Sequence, residues 1–164
     1  MPMLVSSIVA GFIAGLASGG DWRRLQEFGV AWWPVLLTSI VARAIAPFTG
    51  AAALAWSVLG LALVVAVAIA NRMMAGAVVI AVGSLLNLLV TVLNGGMPVD
   101  PAALTLADKS MPVDGLHVIL GETTRLGFLS DVILVPVVNT IYSVGDFALA
   151  LGGFWMAFRV VRPR

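Results

Sequence analysis

Apolar residues fall into five blocks along the chain, separated by short clusters of glycine, proline, asparagine and charge. The blocks cover approximately residues 3–18, 30–46, 51–70, 73–93 and 138–158. A bilayer core about 30 Å thick takes roughly 20 helical residues, fewer where the helix is short or the membrane thins. Each block therefore predicts a membrane-spanning helix, and the whole predicts an all-α integral membrane protein, a five-span bundle in a single transmembrane domain. The first two blocks are the shortest, and the second carries Pro34 and Arg43.

Polar residues inside the blocks are spaced for helices. Ser84, Asn87, Thr91 and Asn94 recur at three, four and three, so they project from one stripe of the fourth span. Such a stripe turns inward in lipid. Asn139, Ser143 and Asp146 share one face of the fifth span by the same spacing. Gly11, Gly15 and Gly19, four apart, predict close helix contact in the first span.

The segment 94–137 is too long to be structureless, and predicts a folded cap between spans four and five. Asp100-Pro101 followed by Ala-Ala-Leu-Thr-Leu-Ala predicts an N-cap and a short surface helix. Met-Pro-Val-Asp occurs at Met97–Asp100 and again at Met111–Asp114, which suggests a paired turn or strand element. Leu126–Val137 is apolar but too short to span before Pro136 intervenes; it either lies in the interface or dips in and returns.

Composition agrees with the pattern. Of 164 residues 61% are hydrophobic and 10% charged, and the mean hydropathy is +1.09, far from a soluble globular domain. A net charge of +1 with scattered basic residues argues against nucleic-acid binding. The absence of cysteine removes thiol catalysis, disulfides and thiolate metal sites, and the lone His117 makes no metal cluster. No metal or organic cofactor is implied.

No Lys or Arg precedes the apolar run Met3–Ser18, so it reads as a retained span rather than an export signal. With the amino terminus outside and the carboxyl terminus inside, the inner face collects Arg23, Arg24, Arg72, Arg159, Arg162 and Arg164, six of nine basic residues. Trp22, Trp32, Trp33 and Trp155 then sit near the inner interface, where indole rings prefer to lie.

Two acids lie in the greasy stretch from Leu126 to Val161, Asp131 and Asp146. Acids near hydrocarbon are rare and functional by default. If the chain folds back at Pro136 the two carboxyls meet and share a proton, one acting as base and the other as acid. The structural alternative pairs Asp146 with Arg43 or span four and leaves Asp131 solvated. Arg43 either snorkels to the headgroups or serves as counter-ion, and His117 reads more simply as a surface or loop hydrogen-bonding residue than as a catalyst. Asn94 opens Asn-Gly-Gly-Met-Pro, where glycines allow close approach of backbone or ligand.

Asn94-Gly-Gly-Met-Pro-Val, His117, Thr124-Arg125-Leu, Phe128-Leu-Ser-Asp131-Val-Ile, Pro136, Tyr142-Ser-Val-Gly-Asp146 and the early Gly19-Gly20-Asp-Trp-Arg-Arg-Leu together resemble an uncharacterised family of small five-span bacterial membrane proteins. That resemblance covers nearly the whole chain and implies no activity. A more distant likeness is to lipoprotein signal peptidases, four-span aspartyl enzymes of the bacterial inner membrane. It implies Asp131 and Asp146 as catalytic dyad, with Ser143 where that family has Asn and Gly145 where it has Ala. The extra span and the missing Gly-Asn-x-x-Asp-Arg run are departures, for which Arg125 is a loose substitute.

Two readings follow. The first is a membrane-embedded aspartyl hydrolase of the bacterial inner membrane. Asp131 and Asp146 would be catalytic, supported by Asn87, Asn94, Asn139, Ser143, Arg43, Arg125 and His117, and the substrate a membrane-anchored peptide or lipoprotein. The second is a non-enzymatic membrane module that binds lipid or a partner membrane protein.

Overall fold

The computed structural model describes residues 2–112 and 114–162, so Val113 and Arg164 lie outside the described residues. Five long helices dominate: α1 (Pro2–Ala17), α2 (Trp33–Ile45), α3 (Ala53–Ala70), α4 (Ala77–Asn94) and α6 (Val144–Val160). Between α4 and α6 lie the short helix α5 (Pro101–Leu106) and strands β1 (Met97–Val99), β2 (His117–Ile119), β3 (Ile133–Val135) and β4 (Thr140–Tyr142). Two of the helices, α3 with its 3-10 lead-in (Gly50–Ala70) and α4, are long and apolar enough to cross a membrane.

The helices pack in the order α2, α3, α4, α6, α1, so the last helix inserts between the fourth and the first. Glycines make both seams of α6. A methyl group added at Gly83 would meet the Gly145 carbonyl oxygen at 2.6 Å, and one at Gly152 the Gly76 carbonyl oxygen at 2.8 Å. Toward α1, a methyl at Gly15 would fall 2.8 Å from the Phe158 carbonyl oxygen, and Gly11 faces the Phe154 backbone. Small residues let backbones touch in this way. The pairs 11–154 and 15–158 ascend together, so α1 and α6 run parallel, while α4 and α6 run antiparallel.

Helix ends follow local chemistry. Proline stands in the first turn of α2 and of α5, where its missing N–H costs nothing. Asp100 caps α5 by accepting from the Ala102 amide at 2.9 Å, as the sequence predicts. Gly76 and Gly95, both left-handed, bound α4, so this helix starts at Ala77, after a turn over 71–76, rather than at Met73. At the end of α3, Asn71 binds both backbone groups of Ala31 (2.8 and 2.9 Å), which holds the chain ahead of α2.

The cap corrects the all-helical expectation. Strand β1 pairs in parallel with β2, not with the second Met-Pro-Val-Asp, whose Met111 and Pro112 are irregular. On its other edge β1 binds Asp131: the Asp131 amide donates to Pro98 O at 2.9 Å, and the Asp100 amide donates to Asp131 O at 3.0 Å. Strands β3 and β4 form an antiparallel hairpin, closed through a 3-10 turn at Pro136–Val138 and a left-handed Asn139. Leu126–Val137 is thus part of a hairpin and its lead-in. The fifth long helix opens at Val144 instead of 138 because Thr140–Tyr142 is strand.

Candidate functional site

The hairpin sets the segment that carries Asp131 against the start of α6, which carries Asp146. Its register pairs Ile133 with Tyr142, and carried two residues outward it sets Asp131 opposite Val144, the first residue of α6. Asp146 follows within the same helical turn. The fold-back at Pro136 anticipated from the sequence therefore takes the form of a strand pair.

Asp146 is half-buried and hydrogen-bonded on both oxygens. Its Oδ1 accepts from Asn87 Nδ2 at 3.0 Å, and its Oδ2 accepts from the Ser143 amide at 3.2 Å. The Asp146 amide donates back to Ser143 Oγ at 3.1 Å, completing a capping box, and Ser143 Oγ donates to Asn87 Oδ1 at 2.9 Å. Asn87, Ser143 and Asp146 form one closed ring that ties α4 to the first turn of α6. Gly145 has room for no side chain, because the atom nearest an added methyl would be Asn87 Oδ1.

Asp131 is in the opposite condition. Its Oδ1 is buried without a hydrogen-bond partner among the described residues, and so is the hydroxyl of the adjacent Ser130. Burial pushes the Asp131 carboxyl up to about 8; the charge on Asp146 adds to the rise and Arg43 opposes it. Asp131 thus holds its proton at neutral pH.

Arg43 lies within electrostatic range of both acids. Its stem crosses α3 at Gly60, where an added methyl would sit 2.5 Å from Arg43 Cγ, so the side chain runs across the bundle rather than out to solvent. It makes no ion pair: among the described residues the only one is His117 with Asp114, at 2.8 Å. Arg43, Asp131 and Asp146 thus influence one another electrostatically with no ion pair among them.

The remaining candidates do other work. Ser84, Asn87 and Thr91 are buried, as the stripe predicts, and Thr91 Oγ1 contacts Met97 Sδ at 3.8 Å while Ser84 Oγ has no partner among the described residues. Asn94 binds the backbone of Arg125 in both directions (2.8 and 2.9 Å) and the Val90 carbonyl at 2.8 Å. It staples the cap to α4, while Arg125 contributes backbone here and its side chain is exposed. His117 is engaged locally with Asp114 in the β2 lead-in.

Asn139 does not share a helical face with Ser143 and Asp146. It is exposed in the hairpin turn, donates to Ala107 O at 3.0 Å and accepts from Lys109 Nζ, which fastens the hairpin to the end of α5. Ser130 was not anticipated, and only its place beside Asp131 could have drawn attention to it.

Asn94→Ala removes three hydrogen bonds at one point. The expected loss is about 1–3 kcal/mol of local stability. Amides of the cap should then exchange with solvent at least about tenfold faster, while those inside α3 and α4 keep their wild-type rates. Uniform protection across the variant would show that the staple does nothing.

No curated protein and no solved structure matches the chain. A sequence model built for a family without a known activity covers residues 23–158, which leaves out α1 and takes in the cap and both acids. By that match over most of its length, the chain belongs to the family of unknown function DUF5317.

Proposed function

We propose that the protein is a five-span membrane bundle, amino terminus outside, whose cap end faces outward and carries an aspartyl hydrolase site built on Asp131 and Asp146. Support for the membrane begins with α3 and α4, where only 28% and 33% of the apolar windows are buried. The rest of that surface is leucine, valine and isoleucine turned outward, with Val5, Ile13, Leu37, Leu59, Val82 and Leu151 exposed on five different helices. Arginines 24, 72, 159 and 162 border cavities at the end away from the cap, as the positive-inside rule requires of a cytoplasmic face.

One observation carries the chemistry: the orphaned, buried oxygen of Asp131 beside a hydrogen-bonded Asp146. A protonated acid next to an accepting carboxylate divides the labour of amide hydrolysis. Asp146 takes a proton from the attacking water, Asp131 gives its proton to the leaving amine, and Arg43 steadies the charge that accumulates between them. The substrate class is a membrane-anchored peptide or lipoprotein, the class implied by the distant likeness to lipoprotein signal peptidases.

A second reading rests on the ring of Asn87, Ser143 and Asp146. Both oxygens of Asp146 are already committed to holding α6 on α4, which suits a non-enzymatic module that binds lipid or a partner protein. Asp131→Asn separates the two, because the Asp131 side chain makes no hydrogen bond among the described residues whereas that of Asp146 does. Reconstituted wild type should release fluorophore from members of a library of membrane-tethered reporter peptides. Asp131→Asn should lower that release at least about 100-fold with helix content unchanged. No cleavage by wild type anywhere in the library, or equal rates in the variant, would leave the module as the reading.

A further inference from the structure

The basic end of the bundle holds an open cleft of about 930 Å³ between the 3-10 helix at Trp22–Glu27, the α3–α4 turn and the last turn of α6. Its cations are Arg24, Arg159 and Arg162, opposed by the single acid Glu27, and Arg72 lies on an adjoining cavity that also takes in Arg159. Its apolar wall is Phe28, Met73, Met74 and Met156. The volume is of the size that takes a small ligand.

These arginines are not consumed by the fold. Arg24 Nε is buried without an acceptor among the described residues, an arrangement that costs stability unless something else accepts from it. Arg159 is exposed. Arg162 is partly engaged, donating to Ser18 O at 3.4 Å and lying 5.1 Å over the Phe158 ring. Guanidinium forks match phosphate oxygens, and a buried donor with no acceptor is the feature such a ligand would complete.

The apolar wall decides between kinds of phosphate. Met73 is 91% exposed, and Trp22 and Trp155 are exposed at the same end. A free phosphate has no use for that surface, whereas a phospholipid places its glycerol and first acyl carbons against it while its phosphate meets the arginines. The end concerned is also the one a cytoplasmic leaflet rich in anionic lipid would bathe.

We infer that the cleft bounded by Arg24, Arg159, Arg162 and Met73 binds the headgroup of an anionic phospholipid, holding the 3-10 helix and the α3–α4 turn against the end of α6. The inference rests on the membrane reading above and is independent of the hydrolase chemistry, since the cleft lies about 20 Å along α6 from Asp146.

The test uses the full chain in a neutral detergent. Phosphatidylglycerol, phosphatidylcholine or inorganic phosphate is added, and the melting temperature and lipid adducts in native mass spectrometry are read. Phosphatidylglycerol should raise the melting temperature and remain bound, and the other two should do neither. Arg24→Gln with Arg159→Gln should weaken phosphatidylglycerol binding at least tenfold without lowering the basal melting temperature, because neither side chain has a hydrogen-bond or ion-pair partner among the described residues. Arg125→Gln, at the cap end, should leave it unchanged. Equal stabilisation by phosphatidylcholine or by inorganic phosphate overturns the inference, as does full phosphatidylglycerol binding by the double variant. A protein that stays dispersed in water without detergent overturns the membrane reading itself, which distinguishes the two failures.

Discussion

Gly145→Ala should unfold the bundle far more readily than any other single methyl group added at a glycine of the cap or its junctions. The new carbon would land on Asn87 Oδ1 and lie 2.8 Å from the Gly83 carbonyl oxygen, which is backbone and cannot step aside. Relief requires α6 to move off α4, and that movement breaks the ring joining Asn87, Ser143 and Asp146. Overpacking costs about 1–3 kcal/mol, and stranding a buried Ser143 hydroxyl adds about 1–3 kcal/mol more. Denaturant titration in detergent should show the combined loss. Gly121→Ala provides the control, since an added methyl there meets nothing within 4 Å. If the two variants unfold at the same denaturant concentration, the helix contact is looser than described.

The second large effect is on pH. Asp131 holds its proton up to about 8 in the folded chain, against an ordinary value of 3.8. Between those values the native state binds a proton that the unfolded state has released. Stability from this group is therefore complete below pH about 4 and is lost as pH rises through about 8, with a slope approaching about 1.4 kcal/mol per pH unit inside the window. Asp131→Asn removes the ionisation and with it that slope. The difference in unfolding free energy between wild type and variant should change steadily across the window, and the variant should be the more stable of the two at pH 9. A difference that stays flat from pH 4 to pH 9 would mean that Asp131 is ionised in water-like surroundings, and the acid-pair site would go with it.

How much of this was legible beforehand depends on the range of the interaction. The long helices were, because apolar blocks bounded by glycine and proline are local signals, and so was α5, announced by Asp100-Pro101. The inward stripe of Ser84, Asn87 and Thr91 follows from helical spacing alone. The strands did not show: each is three residues long, too short for an alternating pattern, and β1 finds its partners 20 and 32 residues further on. Asn139 was misplaced because polar residues at 139, 143 and 146 fit a helix as well as they fit a turn followed by a helix start. Thr140-Ile141-Tyr142, rich in strand-forming types, and Ser143-Val-Gly-Asp146, a capping box in the sequence, together mark the break. The state of Asp131 could not be read, because its burial depends on a strand, a hairpin and a helix end from three separate stretches.

The parallel seam between α1 and α6 bears on biogenesis. The ribosome delivers the first helix more than a hundred residues ahead of the one it binds, so throughout synthesis its glycine face has no mate. Until α6 arrives, that face is open to other components. Truncation before residue 144 should leave the leading segment crosslinkable to surrounding components, and extension through Val160 should end that exposure.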